Sequence, residues 1–235
     1  LAGARFGPRV AGALTGLPVV AGPIVLFLAI EQGAPFAARS AVATLAGEAS
    51  LAAFCILYGR TALRAPWWVS VAVGWTGFVA STVALDRLAL PLATASVVAV
   101  TAPVVVLAAM PRPAVERVAT DVTRGEMALR MAAGVVLMLV LTGIAHALGP
   151  RLSGLLTVFP IATTVLAVFS HRAHGAAFAV RLLRGLALGL YSLTAFFLTL
   201  AVGLERLDTA GGFLAAAAAA IAVQALVLAA SARAR

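Results

Sequence analysis

The sequence predicts an all-α, polytopic membrane helix bundle of about eight transmembrane helices with an inverted-topology internal repeat. Three observations predict it. Of the 235 residues, 63% are hydrophobic and 11% charged, and the mean hydropathy is +1.09. A soluble domain averages roughly 45–50% apolar and 25% charged, and a soluble fold of this size lacks the interior to hide so much apolar surface. The apolar residues lie in eight continuous runs of spanning length, since about 20 residues at 1.5 Å each cross roughly 30 Å of hydrocarbon. The arginines then fall mostly on one side, thirteen against four.

The runs fall near 10–30, 35–58, 66–85, 91–110, 128–148, 152–170, 176–203 and 209–231. The first follows Arg5 and Arg9, carries Pro18 and Gly22-Pro23, and stops at Glu31-Gln32-Gly33. The second holds Glu48 and Cys55 and ends in the polar stretch from Arg60 to Pro66. The third opens on Trp67 and Trp68, which with Trp75 suit interfacial anchoring and packing, and closes at Asp86-Arg87. The fourth stops at Pro111-Arg112-Pro113. A loop from Pro111 to Met127 follows. Its Val115, Val118 and Val122 share one helical face, which fits a short interfacial helix as well as a solvated linker. The remaining spans are divided by Gly149-Pro150-Arg151, by His171 to Gly175, and by Glu205 to Asp208. Membrane strands are a poor alternative, because they alternate polar and apolar residues over about ten positions.

The net charge is +9, and every one of the 17 basic residues is Arg. The arginines sit between apolar runs and form no basic face with aromatic partners, so no nucleic-acid partner is expected. With eight alternating spans, thirteen arginines fall on one side, and only Arg39, Arg87, Arg151 and Arg206 on the other. The positive-inside rule makes the first side cytoplasmic and puts both termini there, in a multi-pass protein of a bacterial inner membrane. The single cysteine excludes an intrachain disulfide. No secretory signal pattern precedes the first run.

Residues Gly7 to Phe54 align without gaps on Gly149 to Phe196, at an offset of 142, with 18 of 48 positions identical. The matches include Gly7-Pro8-Arg9 with Gly149-Pro150-Arg151, Thr15 with Thr157, Pro18 with Pro160, Gly33-Ala34 with Gly175-Ala176, and Arg39 with Arg181. Five spans separate the copies. An odd number flips the orientation, so the copies are expected to be inverted, as in many secondary transporters. The chain then divides into residues 1–110, the first repeat with a linking helix; 111–127, a cytoplasmic loop; and 128–235, the second repeat. The second copy has a span before its Gly-Pro-Arg and the first does not. A complete first unit is expected to carry one more helix upstream of Leu1.

The second half resembles the GlpM family of small four-helix bacterial inner-membrane proteins. The resemblance rests on the helix 128–148, Gly-Leu-Leu-x-x-Phe-Pro at 154–160, Leu183-Arg184-Gly185 and the last apolar helix. It covers about 128–231 and, more faintly, 7–85. It implies a membrane protein of poorly defined activity and brings no catalytic residues. Two units fused in one chain depart from the family's single-unit pattern.

A few residues can carry chemistry. Pro18 and Pro160 interrupt matching helices, and Thr15 and Thr157 stand one turn before them to satisfy freed carbonyls. Breaks at corresponding positions of two halves point to a midplane site; the plain alternative is a packing kink. Glu48 is the one acid well inside a span, where a carboxyl is costly and must face the bundle interior. It suits a proton or cation site, an Arg pair, or a hydrogen-bonded packing role. Arg39, Arg181 and Arg184 begin corresponding helices, where they suit anion capture, a Glu48 pair, or snorkelling to the interface. Gly12-x-x-x-Gly16 and Gly185-x-x-x-Gly189 suit close helix contact. His171 and His174 share a turn with no third ligand, so no metal is expected, and no cofactor. No nucleophile triad, phosphate loop or carboxylate pair is present, so an enzyme is not expected.

The expectation is a transporter or permease for an unidentified small solute. Its partners would be that solute and the lipid bilayer, with a homo-oligomer left open. The site would be lined by Glu48, Thr15, Pro18, Thr157, Pro160, Arg39, Arg181 and Arg184. The alternative is a non-transporting scaffold or accessory subunit of an envelope pathway. A scaffold would fill the midplane with apolar side chains.

Overall fold

A computed structural model describes residues 8–15, 17–18, 21–114, 132, 136 and 159–233. The expected span 128–148, the interfacial stretch at 115–122 and Thr157 lie outside the described residues, apart from positions 132 and 136. Eight helices are described: α1 (Pro8–Thr15), α2 (Ala21–Gln32), α3 (Ala34–Ala62), α4 (Trp67–Leu88), α5 (Leu92–Ala109), α6 (Ile161–His174), α7 (Ala176–Gly203) and α8 (Thr209–Arg233). No strand occurs among the described residues. Five helices, α3, α4, α5, α7 and α8, are long and apolar enough to cross a membrane.

The first expected span, 10–30, is not one helix. It is broken into α1 and α2 around Leu17 and Pro18. Proline lacks the N–H that would bond back one turn, and it disfavours helical geometry at the residue before it. The helix restarts when the Gly22 N–H donates to the Pro18 carbonyl at 2.8 Å. In the other half Pro160 is the N-cap of α6, and the Thr164 N–H donates to its carbonyl at 2.7 Å.

The same register governs the rest of each half. Gly33 and Gly175, 142 apart, both have positive φ (88° and 81°) and both join a short helix to a long one. The Gly33 N–H donates to Ala29 at 3.1 Å, and the Gly175 N–H to His171 at 3.1 Å. The long helices begin at Ala34 and Ala176, and the helices after them at Trp67 and Thr209, again 142 apart. Local structure thus repeats along with sequence, and the likeness runs on past Phe54 and Phe196.

The centre of the bundle is the pair α3 and α7, packed against each other. Two-thirds of the apolar window is buried in each (67%), against 22%, 28% and 17% in α4, α5 and α8. Lipid tails are as apolar as leucine, so helices in a membrane associate by close packing through small residues. α3 accordingly buries Ala37, Ala38, Ala41, Gly47 and Ala52. The end of α3, the end of α5 and the turn between α6 and α7 meet at one end of the bundle. There Arg60 Nε donates to the Ala109 carbonyl at 3.0 Å, and Arg184 donates to Leu107 and Met110 at 2.9 Å each. The Tyr58 hydroxyl lies 3.3 Å from His171 Nδ1. Because α3 ends where α7 begins, the two central helices run antiparallel.

α1 crosses α7 glycine to glycine. A Cβ placed on Gly12 would lie 2.0 Å from the Leu182 carbonyl oxygen, 2.8 Å from Leu186 N and 3.0 Å from the Gly185 carbonyl carbon. These are backbone atoms that cannot rotate away. Gly12→Val is therefore expected to expel α1 from α7, at an overpacking cost of about 1–3 kcal/mol. Thermal denaturation in detergent checks this. Unchanged stability would mean that α1 does not pack on α7.

Candidate functional site

Several of the buried polar groups lie at or beside the middle of the central pair. Glu48 lies halfway along α3, which runs from Ala34 to Ala62, and its side chain is completely buried. Spiral geometry turns residues 44, 48, 51, 52 and 55 to neighbouring faces of one helix. All are buried, and Thr194 of α7 meets the carboxyl there. The Thr194 hydroxyl lies 2.6 Å from Glu48 Oε2 and 2.9 Å from the carbonyl oxygen of Leu190, one turn back on its own helix. Thr194 is the one hydrogen-bond partner of Glu48 among the described residues, and Oε1 has none. An ordinary packing residue would have both carboxyl oxygens paired, because an unpaired buried polar atom costs about 1–3 kcal/mol.

A second and a third polar contact flank the first. The Thr82 hydroxyl of α4 donates to Ser50 Oγ at 3.0 Å. The Ser192 hydroxyl of α7 donates to the Ala220 carbonyl of α8 at 2.7 Å. Ser50 and Ser192 occupy matching positions in the two halves, and so do Thr82 and Gln224. Gln224 is buried on α8, and neither its amide nitrogen nor its oxygen has a partner among the described residues. Buried orphan polar atoms are uncommon enough in native folds that each calls for an explanation. Here Glu48 Oε1 and both ends of the Gln224 side chain are such atoms.

The break at Pro18 and the start of α6 at Pro160 flank this layer. Gly12 abuts Leu182 to Leu186 of α7, and a Cβ on Gly22 would lie 3.4 Å from the Phe196 ring. Gly12 and Gly22, on either side of the break, thus stand near the two ends of the stretch of α7 that carries Ser192 and Thr194. In the other half Phe159 packs on Trp75 and Phe78 of α4, with ring centroids 5.6 and 5.1 Å apart. Trp75 Nε1 donates to Thr164 at 3.1 Å. The start of α6 at Pro160 thus abuts the middle of α4. Trp75 is half-buried against the core, while Trp67 and Trp68 are exposed and Arg172 lies 5.8 Å over the Trp67 ring.

Of the residues expected at the site, Glu48 is at its centre and Pro18 and Pro160 mark its flanks. Thr15 donates to the Gly12 carbonyl at 2.6 Å, so its hydroxyl satisfies its own helix end. The arginines do not reach Glu48. Arg39 is exposed near the start of α3, nine residues or about 13 Å along the axis from it. Arg181 donates to the Ala114 carbonyl, and Arg184 caps the end of α5. Carbonyls at a helix C-terminus carry partial negative charge, which a guanidinium neutralises well. His174 packs on Phe178 with centroids 4.8 Å apart.

Sequence reasoning missed Thr194, Ser50, Thr82, Ser192 and Gln224. A signal existed for four of them: Ser50 and Ser192 are identical in the ungapped alignment, and carrying the same offset further pairs Thr82 with Gln224. Thr194 had no such mark, because its repeat mate is Ala52. No family model, no curated protein and no solved structure matches the chain.

Proposed function

We propose that this chain is a transporter for a small solute in a bacterial inner membrane, built from two inverted repeats, with Glu48 as its ion-coupling residue. The observation that carries the reading is a fully buried carboxyl with one unpaired oxygen, set midway between antiparallel helices of the two repeats. An ionisable residue inside a membrane bundle is expensive to keep and by default marks a pathway or a relay. The matched prolines, Pro18 at a described break and Pro160 at the start of α6, support the same reading, because discontinuous helices in corresponding halves are the usual frame of a midplane site. GlpM-like units, one inverted on the other, would supply the two halves.

One observation favours the alternative scaffold role. Leu45 and Leu190 are fully buried beside the polar layer, so much of the midplane is filled with apolar side chains. In the transporter reading this packing is the closed, occluded form.

The architecture is tested by labelling. In a Cys55→Ala background, Gln32→Cys and His174→Cys stand at the two matching turns. A membrane-impermeant maleimide added to intact cells is expected to modify the first from the periplasm. The second is expected to react only after the membrane is opened. Labelling of both from one side would refute the inverted arrangement. Transport itself is tested by Glu48→Gln in proteoliposomes.

A further inference from the structure

Resting on the transporter reading, we propose that the ion handled at this site is a proton, and that Thr194 is the hydroxyl switch that holds or releases it. The inference comes from counting protons in one short chain of oxygens. The Thr194 hydroxyl is 2.6 Å from Glu48 Oε2 and 2.9 Å from the Leu190 carbonyl oxygen. Both are hydrogen-bond distances for an O–H donor. A hydroxyl has one proton to give, and a peptide carbonyl has none. If Glu48 is a carboxylate, the single Thr194 proton must serve two acceptors, and one close oxygen pair is left without a proton. If Oε2 carries a proton, the count closes: Glu48 donates to Thr194, and Thr194 donates to Leu190. Every contact then has one donor and one acceptor. The orphan Oε1 fits the same state, because the carbonyl oxygen of a neutral acid costs far less to bury unpaired than a share of a full negative charge.

The arrangement also describes the release step. The O–H bond of Glu48 breaks and an O–H or N–H bond forms on a water or on a basic group of the solute. One negative charge stays on Glu48. The Thr194 hydroxyl then swings from Leu190 to Oε2, while the Leu190 carbonyl keeps the N–H bond that the helix supplies. No oxidant or reductant is involved. Among the described residues, no charged group bonds to the carboxyl. Arg184 is engaged at Leu107 and Met110, Glu31 and Asp86 lie near helix ends, and Cys55 and Tyr58 follow two and three turns on along α3. A hard metal cation would ask for about six oxygens instead of this single hydroxyl.

Infrared spectroscopy of the purified protein in lipid tests this without a transport assay. At neutral pH the wild type is expected to show a protonated-carboxyl C=O band that moves on deuteration and on ¹³C labelling of glutamate. The labelling assigns the band to glutamate in the unaltered chain, and the Glu48 variant then singles out which of the five glutamates carries it. The band is expected to vanish in Glu48→Gln. It should shift in Thr194→Val, which removes the acceptor, and return to its original position in Thr194→Ser. Replacing choline chloride with sodium chloride is expected to leave it unchanged. A carboxylate band alone in the wild type would overturn the proposal, as would loss of the acid band on adding sodium, which would make the site a cation site. A protein that keeps the band but moves no solute would leave the proton assignment standing and sink the transporter reading instead.

Discussion

Glu48→Gln is expected to fold normally and to lose solute-driven charge movement entirely. The glutamine amide matches the carboxyl in shape and can donate to Thr194, so the contact between α3 and α7 survives. What it cannot do is gain and lose a proton or hold a charge. The measurement is a current or a pH change from proteoliposomes on a solid-supported membrane, challenged with a panel of small solutes. Any solute that drives a signal in the wild type should give none in the variant, while the elution profile and thermal transition of the two proteins coincide. A full signal from Glu48→Gln would remove the carboxyl from the mechanism. Glu48→Leu is the control for packing. It fills the same space without polar partners and matches the residue already present at the corresponding position of the other repeat, Leu190. It should also be inactive.

The second large effect belongs to the two turns. Gly33 has φ 88° and ψ 162°, and Gly175 has φ 81° and ψ 169°. This region of backbone space is essentially closed to any residue with a Cβ, at about 1–3 kcal/mol each. Space is not the issue. A Cβ on Gly175 meets nothing within 4 Å, and one on Gly33 meets only Pro35 Cδ at 3.7 Å. Gly33→Ala and Gly175→Ala are therefore expected to destabilise through the backbone alone, and by similar amounts. At roughly 2–4 °C per kcal/mol for a chain of this size, each should lower the thermal midpoint by several degrees. The double variant should lose about the sum, because distant sites add. A large drop for one and none for the other would mean that the two turns are not equivalent parts of a repeated unit.

Much of this bundle was legible from residue order. The ends of the long helices coincide with Gly33, Pro66, Gly175 and Asp208, because glycine, proline and charged residues are costly inside an apolar span. The offset of 142 was readable because Gly-Pro-Arg, Thr-x-x-Pro and Gly-x-x-x-x-x-Arg do not align by shared composition. The depth of Glu48 followed from counting residues to either end of its run. The division of 10–30 into two helices was only half legible: Pro18 announced a break, but whether a proline kinks a helix or splits it depends on what packs beside it. Thr194 was not legible at all. A threonine in an apolar helix is common, and its hydroxyl usually bonds back to its own helix, as Thr44 does to Ser40 at 2.8 Å. Only the crossing of α3 and α7 brings Thr194 to a carboxyl 146 residues away. Arg184 misled for a related reason: the carbonyls that it caps belong to α5, which stands outside the repeat.

The pairing of Glu48 with Thr194 has an evolutionary reading. In a symmetric dimer of one unit, residue i of the first copy meets residue j of the second, and j meets i in return. The repeat mates of Glu48 and Thr194 are Leu190 and Ala52. A dimer of the first unit alone would set Glu48 against Ala52 twice over, leaving two buried acids and no hydroxyl. A dimer of the second would set Leu190 against Thr194 and have no acid. Only a chain in which the two copies have diverged from each other holds one acid and one hydroxyl face to face. In the inverted-repeat reading proposed above, joining the units in one chain makes the unlike copies meet in equal number and frees each to drift toward its own half of the task.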